Sequence, residues 1–458
     1  MINRVSKETK IALLMAASLF MEMLDGTIVT TALPKMSQYF HTGTATTALL
    51  ISVYLITSAI FIPLSGWMAK RFGKKKIWII AVIIFTLSSL TNALAPNFFF
   101  LLLTRIIQGI SGSLMTPTAR LIVLEKTPAS RLLKMVSYLI WPALIAPAIA
   151  PLVGGFIVTY WSWQWIFLIN VPIGFIIALM GVKWIDTDQV NTANTFDLLG
   201  FIEVAFASGV ILVGAELATH GENYWLSAFG LVVLGIILVF VVSKHLKKTV
   251  NPLFSIKALK ITSFRICQTS GSVLWLCVGA LPYILTVYLQ TVFHWPAVKA
   301  GSYVLFIFIG NIGIKPFTNA IIRKLGYRSA LLSSFGMVFI TSVALAFIHA
   351  NTFPVYIMFL ALISGAGRSL ALTNYSGLSF SEIAPQDRNS ANTLNVVVMT
   401  LAQGLGISLI TVVVDLLQIH FPMTTAYELG FIFLALLMIF PVIEVLLLPK
   451  NIGHATSR

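Results

Sequence analysis

Charge is what this chain has least of: Asp, Glu, Lys and Arg together make up 10% of its 458 residues, against roughly 25% in a soluble globular domain. So little charge cannot cover a water-facing surface. With 58% hydrophobic residues and a mean hydropathy of +0.93, the chain belongs in a bilayer. Cysteine is almost absent as well. Cys267 and Cys277 both fall in one apolar segment, which excludes a disulfide-stapled secreted fold and a cysteine-based zinc site. The seven histidines are scattered without metal-like spacing. No phosphate-cradling Gly-x-x-x-x-Gly-Lys-Ser/Thr loop occurs, so an ATP-driven pump is disfavoured. Clustered catalytic side chains are missing too, and the sequence implies neither an enzyme nor a cofactor nor a bound metal.

Acids are scarcer than bases, 15 against 30, for a formal net charge of +15. Their placement explains the excess. A spanning helix needs about 20 mainly apolar residues, and the chain divides into fourteen such runs, from Ile11–Pro34 to Tyr427–Leu448. An even number of spans puts both termini on one side. Lys35 and Lys299 are the only bases in one set of loops, whereas the other set and the termini hold Arg4, Lys7, Lys10, Lys70, Arg71, Lys74, Lys75, Lys76, Lys126, Arg131, Lys134, Lys244, Arg323, Lys324 and Arg328, among others. The positive-inside rule therefore makes both termini cytoplasmic. Short basic clusters that obey a topology rule are not a nucleic-acid surface, and no nucleic-acid partner is expected.

The chain also repeats itself. Lys70-Arg71-Phe72-Gly73-Lys74-Lys75 recurs as Arg323-Lys324-Leu325-Gly326-Tyr327-Arg328, 253 residues later, and Gln108-Gly109-Ile110-Ser111-Gly112-Ser113-Leu114 pairs with Ser364-Gly365-Ala366-Gly367-Arg368-Ser369-Leu370. The expected organisation is an N-terminal six-helix bundle over 1–185, an inserted two-helix linker over 186–250, and a C-terminal six-helix bundle over 251–458. Residues 251–266 precede that last bundle as an interfacial helix or a plain linker. Parallel repeats of this kind build many secondary transporters, with the substrate site near the bilayer midplane.

Several motifs fall in order along the first half. They are Leu24-Asp25-Gly26-Thr27 in span one, Gly66-Trp67-Met68-Ala69-Lys70-Arg71-Phe72-Gly73 after span two, and Leu102-Leu103-Thr104-Arg105-Ile106-Ile107-Gln108-Gly109 in span four. Ala146-Pro147-Ala148-Ile149-Ala150-Pro151-Leu152-Val153-Gly154-Gly155 lies in span five, and Trp161-Ser162-Trp163-Gln164 through Asn170-Val171-Pro172 leads span six. Together they resemble the major facilitator superfamily in its fourteen-helix drug:proton antiporter branch. The resemblance implies an all-α membrane protein of that fold and a proton-driven multidrug exporter of the cytoplasmic (inner) membrane. Gating or conformational roles are expected for Gly66, Arg71, Gly73, Gly154 and Gly155; Pro147 and Pro151 each remove a helix hydrogen bond and should kink span five, either as a gating element or as static packing. The chain departs from the family pattern at Lys70, where the loop motif has an acid, and at Ala146 and Ala150, where it has glycines.

Read without the family, the same residues carry their own logic. An acid inside a bilayer is costly, so Asp25 and Glu22 should face a cavity or a partner, and their i, i+3 spacing sets both on one helix face. Burial and a like-charged neighbour both favour the proton-bearing form, as a proton carrier requires. A structural tie is the alternative. Arg105 is the natural cationic partner, or else it snorkels to the outer interface. Arg368 has no assignable acid and either binds an anionic substrate or stabilises helix ends. Tyr54, Tyr138, Trp141 and Tyr283 are candidates for a substrate cavity, or are ordinary core. Glu203, Lys315 and Glu444 read as interface residues near the inner ends of their spans. The crowded bases from Lys70 to Lys76 should be held by helix C-termini, by anionic lipid or by acids such as Glu382 and Asp387. The partners expected are a small-molecule substrate, protons and membrane lipid, with the chain a monomer. The expected function is proton-coupled export of small, amphipathic or lipophilic compounds by alternating access. Export of an anionic metabolite or siderophore, or import on the same fold, stands beside it.

Overall fold

The computed structural model describes residues 6–42, 44–127, 131–187, 190, 195–449 and 452, and among them there is helix and no strand. The helices are α1 (Lys7–Tyr39), α2 (Thr44–Phe72), α3 (Lys74–Ala93), α4 (Phe98–Lys126), α5 (Leu132–Tyr160), α6 (Trp165–Leu168), α7 (Asn170–Trp184), α8 (Leu198–Ala218) and α9 (Glu222–Lys248). They continue with α10 (Thr262–Thr291), α11 (Ala297–Gly313), α12 (Lys315–Ala346), α13 (Pro354–Ser381), α14 (Arg388–Gln418), α15 (Met423–Leu437) and α16 (Ile439–Leu446). Twelve described helical spans are long and apolar enough to cross a membrane. α5 and the shorter apolar helix within α11 fall on the two remaining runs expected from the sequence. The segment before α10 is irregular, with bends and one 3-10 turn at Lys257–Lys260, so the linker reading fits it better than a helix.

Local chemistry sets the helix ends. Ser6 caps α1 by accepting from the Thr9 amide, and Asn97 caps α4 by accepting from the Phe100 amide at 2.8 Å. Between α2 and α3 the backbone turns at Gly73 with φ 89°, and inside α12 it turns at Gly326 with φ 76°. Only glycine enters that region without steric cost. Two histidines, His41 (φ 52°) and His294 (φ 54°), also occupy the left-handed region. Each pair is 253 residues apart, the period of the sequence repeat. The same offset relates α2 to α11 plus the part of α12 before Gly326.

Two compact units divide the chain. The first comprises Met1–Gly209, Ile237–Ser255 and Asn392–Val396; the second comprises Val210–Ile236, Ile256–Ala391 and Val397–Arg458. In the first, apolar side chains form two clusters. One gathers Met15, Trp78, Phe85, Met115 and Ile177; the other gathers Leu24, Ile28, Leu50, Leu101 and Phe167. Along α3 and α4 the clusters are separated by the stretches 86–92 and 102–113, which hold the polar residues described below. The second unit has one large cluster around Leu274, Tyr288, Phe335 and Phe431. Large apolar side chains also point outward, most openly on α9, where Leu226 is 84% and Phe229 68% exposed. Lipid, not water, is the solvent such a surface fits.

Close helix approach relies on the repeated small-residue runs. A Cβ added at Gly109 on α4 would lie 2.8 Å from the Tyr54 carbonyl of α2, and one at Gly365 on α13 would collide with the Ile307 carbonyl of α11. Tyr54 and Ile307 again differ by the repeat offset. Ala146 and Ala150 of α5 are fully buried in the Leu24 cluster, so the alanines at these two positions serve the packing.

Candidate functional site

Asp25 of α1 and Arg105 of α4 are both fully buried and form an ion pair, with Asp25 Oδ2 accepting from Arg105 Nη1 at 2.6 Å. The other carboxylate oxygen accepts from Asn170 Nδ2 of α7 at 2.8 Å and from Gln108 Nε2 at 3.1 Å. Arg105 Nη1 also donates to Gln108 Oε1 at 2.7 Å, and its Nε donates to the Leu50 carbonyl at 3.2 Å. The guanidinium carbon lies 4.4 Å from the centre of the Tyr54 ring, a cation–π distance.

Neutral side chains extend the network. Gln108 Nε2 donates to Ser89 Oγ at 2.8 Å, Asn92 Nδ2 donates to Gln108 Oε1 at 2.6 Å, and Thr104 Oγ1 donates to Asn92 Oδ1 at 2.5 Å. One cation and one anion are thus held by α1, α2, α3, α4 and α7 at a level between the two apolar clusters. A buried ion pair survives its desolvation only with good geometry and further hydrogen bonds, and both are present.

Glu22, one turn from Asp25, is buried and accepts from Thr116 Oγ1 instead of pairing with Arg105. Gly112 makes room for it. A Cβ there would lie 3.0 Å from Tyr54 Oη and 3.1 Å from Glu22 Oε1, so the tyrosine hydroxyl and the carboxylate share the space that the glycine leaves. Tyr54 therefore carries Arg105 on its face and points its hydroxyl towards Glu22. Neither that hydroxyl nor Arg105 Nη2 has a hydrogen-bond partner among the described residues.

The remaining expected residues lie elsewhere. Gly66 is buried in α2, and Arg71 is half-buried in its last turn. Gly154 is a contact point between α5 and α1: a Cβ would collide with Thr31 Oγ1 and approach Ile28 within 2.8 Å, whereas Gly155 has open space beside it. Pro147 is half-buried in α5, which runs as one helix through it; the side chains of Pro151 and Trp141 lie outside the described residues. Tyr138 packs against the Trp78 cluster, and Tyr283 lines a separate cavity in the second unit.

One reading changes. Lys315 is not an interface residue. It is 6% exposed and donates to Thr373 Oγ1 at 2.5 Å, because the α12 start is packed against α13 and its ammonium cannot reach the membrane edge. Glu382 accepts from Ser263 Oγ at 2.5 Å, and the contacts of the basic loop lie within its own half. Lys74 pairs with Glu125 at 2.7 Å, and Lys75 donates to the Val182 carbonyl near the end of α7. Arg368 is buried and donates to the Val278 carbonyl, while its Nε and Nη1 have no partner among the described residues.

Sequence reasoning missed Gln108, Asn170, Asn92, Ser89, Thr104 and Thr116. Their signal was present in Gln, Asn and Thr embedded in apolar runs, where a polar group needs a partner. Which partner each takes depends on packing between distant helices.

Comparison with known proteins agrees with this architecture. The family model described as Major Facilitator Superfamily matches residues 15–407. A protein of Escherichia coli O6:H1 (strain CFT073) named "Putative multidrug resistance protein MdtD" is 29% identical over 403 residues, covering 86% of this chain and 84% of its own. The protein of the same name from Yersinia enterocolitica serotype O:8 is 29% identical over 399 residues, with the same coverage. Among solved structures, the human organic anion transporter MFSD10 (TETRAN) superposes with a TM-score of 0.69 at 12% identity, over 96% of this chain and 100% of that one. The apolar helices, the internal repeat and these matches lead to one conclusion: the chain belongs to the Major Facilitator Superfamily, as a multi-pass membrane transporter.

Proposed function

We propose that this transporter exports small amphipathic or lipophilic compounds in exchange for protons, from an inner membrane in which both termini are cytoplasmic. Its working parts are two six-helix halves, 1–185 and 251–458, with the pair in 186–250 inserted between them and the chain acting as a monomer. The observation that carries the reading is the buried Asp25–Arg105 pair, because it joins one carboxylate to one fixed cation inside the helix bundle. Alternating access parts the carboxylate from Arg105, and a proton then takes the place of the arginine as its partner. Substrate and proton then compete for one acid, which couples the gradient to export. Glu22 and Tyr54 continue the polar line from the same site. The multidrug resistance naming of the relatives supports the substrate class.

Proton release in everted membrane vesicles tests the coupling. Asp25→Asn is expected to abolish gradient-driven transport while the protein remains folded in the membrane. Active export by this variant with unchanged pH dependence would overturn the assignment and make Glu22 the first alternative. A second reading, export of an anionic compound, is favoured by Arg368, a buried cation that forms no ion pair among the described residues. A panel of cationic, neutral and anionic compounds in the same vesicles separates the two.

A further inference from the structure

α10 runs as one helix from Thr262 to Thr291 with Pro282 inside it. A proline has no backbone N–H, and its ring crowds the carbonyl four residues back. In α10 that carbonyl belongs to Val278, so the helix has no amide at 282 to offer it. A spanning helix tolerates such a proline where a neighbouring group satisfies the freed carbonyl.

The donor comes from α13. Arg368 Nη2 donates to the Val278 carbonyl. Arg368 is 2% exposed, and no acid stands near it among the described residues. Two close approaches seat its backbone: a Cβ at Gly365 would collide with the Ile307 carbonyl of α11, and one at Gly367 would stand 3.0 Å from the Ser334 carbonyl of α12. α10 is seated in the same way one turn short of the proline, where a Cβ at Gly279 would stand 2.8 Å from the Gln403 carbonyl of α14.

Val278 stands 253 residues after Asp25, the offset of the repeat, and Pro282 stands at the place of Val29. One position in each half thus accepts from an arginine, on α4 in the first and on α13 in the second. The acceptors differ in kind. Asp25 offers a carboxylate that can take a proton, whereas Val278 offers a backbone carbonyl that cannot, so the second arrangement is mechanical.

We propose that Arg368 is a latch on α10: it supplies the hydrogen bond that Pro282 withholds and ties the shape of α10 at this level to α13. When α10 straightens or α13 shifts, the Val278 carbonyl loses its donor inside the bilayer, so the two helices rearrange together. Nε and Nη1 of Arg368 have no partner among the described residues, which leaves the guanidinium donors for another acceptor when it lets go.

A double-mutant cycle on the purified full-length protein tests the latch. It needs no substrate and no gradient, so its outcome is separate from that of proton coupling. Arg368→Met removes the donor and keeps an apolar stem, and Pro282→Ala gives back the amide. Arg368→Met is expected to lower the melting temperature by about 2 °C or more. It should also speed hydrogen exchange in the turn after Val278 while residues 264–274 exchange as in the parent. In the Pro282→Ala background the same substitution should cost less than half as much, because the restored amide serves the carbonyl. Equal losses in both backgrounds, or unchanged exchange after Val278 in Arg368→Met, would overturn the proposal. An Arg368→Met chain that folds only together with Pro282→Ala supports it, and one that fails to fold in that background counts against it.

Discussion

Arg105 reaches three groups at once because its guanidinium is a planar fork: the Asp25 carboxylate, the Gln108 amide oxygen and the Leu50 carbonyl all lie within its donors' reach. An ammonium has no such fork and does not stack on Tyr54 in the same way. Removing the arginine alone leaves the buried Asp25 carboxyl without its counter-charge, a change that costs about 3–5 kcal/mol in comparable buried pairs. Arg105→Met should therefore lower the melting temperature of the solubilised protein sharply. Adding Asp25→Asn should restore much of the loss, because the neutral amide needs no counter-charge and keeps Asn170 as a neighbour. Additive losses in the double variant would mean that the two residues act independently. Asp25 and Arg105 were legible in the sequence because a charge in an apolar run is conspicuous. Gln108 and Asn170 were not, since a neutral amide is less costly to bury and nothing local says which helix it will meet. Lys315 misled for a related reason: its position near a span end allows snorkelling, and only the packing against α13 shows that the path is closed.

At the scale of elements, the joint between the inserted helices and the Leu253 segment beyond α9 is held by one carboxylate. Asp197, just ahead of α8, accepts from the Gly200 amide at 2.9 Å, from the Leu253 amide at 3.1 Å and from His245 of α9 at 2.9 Å. Partial burial works against the anion, but these donors together outweigh it and hold Asp197 below its ordinary value of 3.8. A depressed carboxylate contributes stability above its unfolded value, and that contribution is lost as the pH falls through the lower folded value. The destabilisation caused by Asp197→Ala should thus be complete at about pH 6 and shrink as the pH drops below about 4. Melting temperatures of parent and variant across that range provide the check, and a gap that stays constant down to the acid limit would contradict it. The joint was illegible in the sequence because its partners are separated by about fifty residues of helix. The Gly73 and Gly326 turns were legible, because a repeated basic-glycine motif needs a chain reversal in which only glycine is comfortable. His41 and His294 were not, since histidine carries only a weak preference for the left-handed region.

Over the whole molecule, the distribution of charge and the repeat make a single argument about direction. Lys and Arg crowd the loops at one end of the spans and nearly vanish from the other, where Lys35 and Lys299 stand alone. Each stands between the first two apolar runs of its half, so each half carries the same asymmetry and both halves are expected to insert in the same sense. This is the property that distinguishes a parallel duplication from an inverted one. The Lys and Arg bias that orients a nascent chain acts on short loops near the span ends, and the motif loops at Gly73 and Gly326 are short and basic. On this rule the turn before α9 is expected to be external and the end after α16 cytoplasmic. The native cysteines, Cys267 and Cys277, are both buried, so a membrane-impermeant maleimide should leave the parent chain in intact cells unlabelled. Glu222→Cys should be labelled from outside, and Arg458→Cys only after the cells are opened. The opposite pattern would invert the assigned direction of every span, and with it the side from which the Asp25 site is loaded with substrate.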